Sequence, residues 1–230
     1  MIVTIILLLM PMSISKTWLF LVQGRIVISE TSSIKDTGDK TSLIIQTVGD
    51  MFLEHGYSRV SINAIIAQIG GSKRDLYAQF GDKEGLFRCV IADVCRQVLD
   101  PLKALPVDGE TIEQALKSFG TIFLSVLLSD RVIALQKLVL SEASRYPEFA
   151  QTFVELGPVS AYRLAAEILT RKSAEGEIKV TQPQVMGALF CDMLISDLQF
   201  KIISGGSVSE QQIEERVQMA VSVFLNGIKK

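Results

Sequence analysis

The chain has 230 residues, a formal net charge of −2 and a mean hydropathy of +0.35. That length suffices to bury a sizeable core, as one large domain or as a small domain joined to a larger one. The charge excludes DNA binding through a uniformly basic surface, so any such contact must come from a local patch. Cys89, Cys95 and Cys191 show no repeated spacing, which excludes a disulfide framework and fits reduced thiols in a cytoplasmic protein.

Met1 to Met10 is almost purely apolar, Pro11 interrupts it, and a second apolar run occupies 18–22. No Lys or Arg precedes Lys16 and the first alanine is Ala64, which argues against a secretory signal. The segment nearly reaches the ~20 apolar residues of a membrane span, but Pro11 and polar residues 13–17 break it, and no membrane partner is expected. Three readings stay open: an anchor, an extra packing segment, or upstream sequence translated from a misassigned start. The last is favoured, because the segment shares no pattern with the rest of the chain. Residues 29–40 are polar and read as a flexible lead-in, so 1–39 is taken as an extension.

From Lys40 onward the periodicity is helical and no strand is expected. The first helix, about 40–55, sets Ile44, Val48, Met51 and Phe52 on one face, and Gly56 suits a left-handed cap. Ser61 caps a helix at about 62–69, Gly70-Gly71 turns the chain, and Ser72 caps a helix at 73–79, with Asp75 expected to close a capping box. Asp82 caps a longer helix to about Leu99, with Pro101 just beyond its end. Three short helices with a Gly turn between the last two are the pattern of a helix-turn-helix.

Beyond Pro106 the helices lengthen. Ile112 to Leu127 carries a continuous apolar stripe, 131–145 forms the next helix, Pro147 starts a short one, and Pro158 starts another over 158–173. The helix from Pro183 to Ile203 is apolar on most faces and the last helix, 209–228, repeats Val217, Val221, Phe224 and Leu225 at helical spacing. This hairpin carries more apolar surface than one chain readily covers, so a homodimer through helices 183–203 and 209–228 is expected.

Residues 43–88 resemble the DNA-binding domain of the TetR family of bacterial regulators. The resemblance rests on Ile44-Ile45, Met51-Phe52, Gly56-Tyr57, Ser61, Ile65, Gly70, Ser72-Lys73, Leu76-Tyr77, Phe80, Lys83-Glu84 and Leu86-Phe87, all in order and at matching spacing. Ile66 and Ile69 depart from the alanines common in that family, and Gly71 from its valine. A looser likeness extends through Leu135-Gln136-Lys137-Leu138, Ser141-Glu142 and Tyr146-Pro147-Glu148. The resemblance implies an all-α fold: a three-helix head over 40–88, then a helical ligand-binding and dimerisation domain over 89–230. It implies a sequence-specific DNA-binding regulator, a ligand-responsive repressor that binds a palindromic operator as a dimer.

The chemistry supports this reading. Lys73 and Arg74 begin the helix that would enter the major groove, and both can donate to guanine O6 and N7. Ser61, Ser72, Tyr77 and Lys83 are placed for phosphate contact, and in the proteins it resembles the matching tyrosine and lysine grip the backbone. Taken singly, Lys73 and Arg74 would be a solvated helix start and Tyr77 a core residue against Phe80; the whole pattern decides otherwise. Six basic and six acidic residues in 39–88 make the segment neutral, which points to site-dependent rather than general affinity.

His55, the single histidine, suits the dipole at a helix end. No G-x-S-x-G, P-loop or HExxH pattern is present, and no catalytic residue, metal or cofactor is expected. Phe119, Phe123, Tyr146, Tyr162 and Phe190 are candidates to line a pocket for an unidentified effector, with Asp192 and Asp197 as its polar groups, as interface residues or as residues facing water at the helix edge. The alternatives are a helical small-molecule-binding protein of the same fold without DNA binding and, from residues 1–22, a membrane-anchored protein.

Overall fold

The computed structural model describes residues 19–22, 25–28 and 32–228, and the expectations for residues 1–18 lie outside them. The chain divides into two compact units, residues 1–43 and 44–230. The first holds an antiparallel hairpin, β1 (Leu19–Val22) and β2 (Arg25–Ile28), with Leu19 opposite Ile28. The apolar run at 18–22 therefore contributes a strand that its periodicity does not announce. From residue 32 onward every described element is helical and the fold is all-α.

The first helix, α1 (Ser32–His55), starts well before residue 40, so part of the polar segment 29–40 is helical rather than a flexible lead-in. Val48 and Phe52 are fully buried on its core face. α2 (Ile62–Ile69) and α3 (Lys73–Phe80) come next, and α4 (Lys83–Lys103) runs from the head into the body. Pro101 sits inside α4, not beyond it; Leu99 and Leu102 are buried on either side, and their packing holds the last turn across the residue that lacks an amide proton.

α5 (Ile112–Leu127) is fixed at its start by a full capping box between Thr111 and Gln114. α6 (Asp130–Glu142) and α7 (Pro147–Val154) succeed it. No new helix begins at Pro158. α7 continues through a π-turn, Glu155–Val159, that absorbs Pro158, and passes directly into α8 (Ser160–Ala174). A π-turn is one of the few ways a helix accommodates an internal proline without breaking.

α9 (Pro183–Ile203) packs along α8 at unusually short range. A Cβ built on Gly187 would lie 2.7 Å from both the Ala166 amide and the Tyr162 carbonyl, so only glycine permits this approach. α9 bends at Ser196, whose φ of 33° is a strained value for a residue with a side chain. α10 (Glu210–Ile228) closes the body, burying Val217, Ala220, Val221, Phe224 and Leu225. Lys172 is 1% exposed, yet its ammonium reaches Glu175 and the Glu110 carbonyl at 2.6 Å and Glu177 at 3.3 Å. Glu177 in turn accepts from the Ile112 amide, which ties the end of α8 to the start of α5.

Among the described residues no single helix is long and apolar enough to cross a membrane. Among them, too, no group of His, Cys, Asp and Glu side chains is arranged to hold a metal ion.

Candidate nucleic-acid interface and effector cavity

The head is built by local rules. Ser61 accepts a hydrogen bond from the Ala64 amide at 3.1 Å and so starts α2. Gly70 and Gly71 both take positive φ, 74° and 86°, which turns the chain sharply into α3. Ser72 accepts from the Asp75 amide at 3.2 Å, but its hydroxyl donates to the Asp75 carboxylate at 2.7 Å. The expected capping box is thus replaced by a side-chain pair, because the carboxylate is drawn to the hydroxyl rather than back to the Ser72 amide. Asp82 caps α4 through the Gly85 amide at 2.6 Å.

Leu76 is the buried residue of α3 and anchors it, leaving Lys73, Arg74 and Tyr77 exposed. The Lys73 ammonium lies 5.7 Å from the Tyr77 ring, and Tyr77 is 38% exposed. Arg74 makes no ion pair among the described residues. The N-terminus of α3 therefore presents two cations and a phenol to solvent.

Lys83 is placed differently. Its ammonium sits 4.3 Å from the centre of the Tyr57 ring, half-buried, and burial lowers its pKa. Tyr57 belongs to an aromatic cluster with Phe52, Phe87, Tyr146 and Phe149, in which Tyr146 and Phe149 come from the turn after α6 and the start of α7. Burial, with Glu84 adding to it, pushes the Tyr57 phenol far above the usual tyrosine range. Tyr57, Ser58, Tyr77, Lys83, Arg145 and Tyr146 line one cleft where the head meets the body.

Two polar links join α6 to the head at its two ends. Arg131 pairs with Asp50 of α1, and Glu142 accepts from the Ser58 hydroxyl at 3.1 and 3.2 Å. Sequence reasoning assigned none of these four residues a role. Their partners are more than 80 positions away, and nothing local marks the pairing.

The body contains a cavity of about 220 Å³ bounded by α4, α5, α6, the π-turn, α8 and α9. Of the five aromatic candidates, Phe123 and Tyr162 line it. Phe119 and Phe190 are fully buried core, and Tyr146 belongs to the cluster at the head. The Tyr162 hydroxyl donates to Asp192 at 2.9 Å, and its pKa is pushed up to about 12, first by burial and then by that carboxylate. Gln199 donates to Gln136 at 3.1 Å across the same space. Asp197 is not in the cavity; it pairs with Arg216 of α10. Of the cysteines, Cys95 faces the cavity, Cys191 is buried and Cys89 half-buried, none in a disulfide, and burial pushes all three thiols up.

Together these features define a helix-turn-helix head seated on a helical body with an internal cavity. Residues 44–90 match the family model described as bacterial regulatory proteins, tetR family. Residues 114–227 match that of the AefR-like transcriptional repressor C-terminal domain. None of the curated proteins matches the chain. Among solved structures, a TetR-family regulator from Mesorhizobium loti aligns with a TM-score of 0.77 at 24% identity, covering 84% of this chain and 98% of its own. The flavonoid-responsive regulator FrrA aligns with a TM-score of 0.71 at 28% identity, covering 84% and 98%. A TetR regulator from Agrobacterium tumefaciens gives 0.69 at 21%, covering 83% and 95%. The chain belongs to the TetR family and is a DNA-binding transcriptional regulator.

Proposed function

We propose that this regulator is a homodimeric, ligand-released repressor with a reading head over 40–88 and a sensing body over 89–230. Two copies of α3 would enter successive major grooves about 34–36 Å apart on a palindromic operator, with Lys73 and Arg74 toward base edges and Ser61, Tyr77 and Lys83 toward phosphates. Ser72 joins them only if its hydroxyl leaves Asp75, which makes it the most conditional of the six. The observation that carries the reading is the exposed Arg74, without an ion pair among the described residues, beside Lys73 at the start of a helix held by the single buried residue Leu76.

The dimer reading is supported by one face of α9 and one of α10. Val185, Leu189 and Phe200 are 51%, 51% and 72% exposed, and Met219 and Val223 are 64% and 55%. A second copy burying these stripes would remove most of the exposed apolar surface of both helices.

Effector response is supported by α6. It contributes Val132 and Gln136 to the cavity, and its two ends hold Asp50 and Ser58 of the head. A ligand that favours a different α6 position shifts the head only by its difference in affinity for the two states. The flavonoid-responsive relative makes flavonoids the first molecules to test. Footprinting of the full chain on its own upstream DNA checks the reading: two protected half-sites about one helical turn apart are expected, fading with effector. A uniform or absent footprint would contradict it.

A further inference from the structure

We propose that the cavity selects an aromatic ligand that donates a hydrogen bond to Asp192, as a phenol does, and that it rejects carboxylates. This rests on the effector reading above and adds the chemical class.

The wall is mostly apolar, with Phe123, Phe153 and Pro158 among its residues, and its polar side chains are Gln136 of α6, Tyr162 of α8 and Asp192 and Gln199 of α9. Among the described residues no Lys, Arg or His lines the cavity, so an anionic ligand finds no counter-charge. The nearest candidate on α10, Arg216, is committed to Asp197 and to the Leu194 carbonyl. The full charge on the wall is the carboxylate of Asp192, a solvent-exposed residue, which disfavours an anion and accepts from a donor. Tyr162 occupies one site on Oδ1, and the other acceptor sites of the carboxylate remain.

An ammonium meets the same carboxylate with a charge-assisted bond, and Gln136 and Gln199, bonded to each other, keep further carbonyl lone pairs, so the requirement is a donor and the excluded class is the anion. A volume of about 220 Å³ suits a ligand of about two rings. Two backbone irregularities flank the space, the π-turn with Gly157 and Pro158 and the bend at Ser196 between Ile195 and Gln199. Such irregularities recur where a helix is shaped around a ligand.

Calorimetry of the full chain at neutral pH with three matched probes tests this: 4-phenylphenol, 4-methoxybiphenyl and biphenyl-4-carboxylate, with 4-phenylbenzylamine as the cationic arm. The phenol and the amine should bind tightest, the ether about tenfold or more weaker for lack of a donor to a charged acceptor, and the carboxylate weaker still. Asp192→Asn should cost the phenol about tenfold and narrow its margin over the carboxylate. Tyr162→Phe, which frees a lone pair of Asp192, should leave phenol affinity equal or higher. Carboxylate binding as tight as the phenol, an amine that binds no better than the carboxylate, an Asp192→Asn protein that binds the phenol unchanged, or no phenol binding at all would overturn the proposal. The same probes added to the protein–DNA complex separate the two claims. A carboxylate that releases DNA refutes the selectivity and spares the effector reading. A phenol that binds as predicted without releasing DNA refutes the effector reading and spares the selectivity.

Discussion

Glu142, at the last turn of α6, accepts the Ser58 hydroxyl through both carboxylate oxygens, at 3.1 and 3.2 Å. The two residues are 84 positions apart, and the bond ties the helix that borders the cavity to the turn after α1. With Arg131–Asp50 at the other end, α6 is held to the head at two points.

Breaking these links should uncouple rather than unfold. Ser58 and Glu142 bond at the surface and Asp50 is exposed beside a half-buried Arg131, and pairs open to solvent contribute about 1 kcal/mol or less. Glu142→Gln and Asp50→Asn should therefore keep Tm within a few degrees and keep DNA affinity near the parent. The effector concentration needed to release DNA should change several-fold. Titration of effector into a preformed complex measures this.

The reading helix gives a sharper pattern. Arg74→Ala should weaken specific binding by about 1–3 kcal/mol and relax discrimination at one base position. Lys83→Ala and Tyr77→Phe should weaken binding on every sequence tested, and only the lysine change should lower the salt slope, by about one. Binding series across salt and across single-base operator variants separate the two cases.

Packing at the α8–α9 contact leaves no room for a methyl. Gly187→Ala places a Cβ 2.7 Å from two backbone atoms of α8, so the helices must part. Overpacking of this kind costs about 1–3 kcal/mol. Denaturant stability should therefore fall by that amount, and urea titration of the two proteins measures it. Phe149→Ala, in the centre of the aromatic cluster, should cost about 3–5 kcal/mol without touching the cavity wall.

Acid should release the Glu177 tie only below the ordinary carboxylate range. The Glu177 carboxyl lies below the usual range, chiefly because the Ile112 amide bonds its charged form, then because of Lys172. A depressed value means that its contribution is complete above the unfolded value, about 4.3, and is lost as pH falls through the folded value. Lys172 is raised, first by Glu175, so its contribution holds below the ordinary lysine range and fades only in strong alkali. Glu177→Gln should lower Tm at neutral pH and reduce the loss of stability on acidification. Thermal melts across the acid range check this.

The head was legible because its determinants are local. Ser61, Ser72, Asp82 and the glycines at 56, 70 and 81 each act within four residues, and the caps form where the sequence puts them. Pro101 and Pro158 misled because their local cost is outweighed elsewhere, by burial of Leu99 and Leu102 in one case and by the π-turn in the other. The orientation of Lys83 depends on Tyr57 and on residues of α6 and α7, which no local pattern reveals. Periodicity placed Phe119, Phe123 and Phe190 on apolar faces, but it does not say which face meets a void. Of these three, only Phe123 does.

If this helix-turn-helix reads a particular DNA sequence and a ligand in the body relieves it, both properties are visible in one titration. Fluorescence anisotropy of the full chain on its own upstream fragment, against a scrambled fragment over a salt series and with bound effector, tests them most directly. Specific binding should be about 10³-fold or more tighter than non-specific at physiological salt, with a steep salt slope and a large loss of affinity with effector. Equal affinity for both fragments, or specific binding that no cavity ligand alters, would contradict this account of the protein.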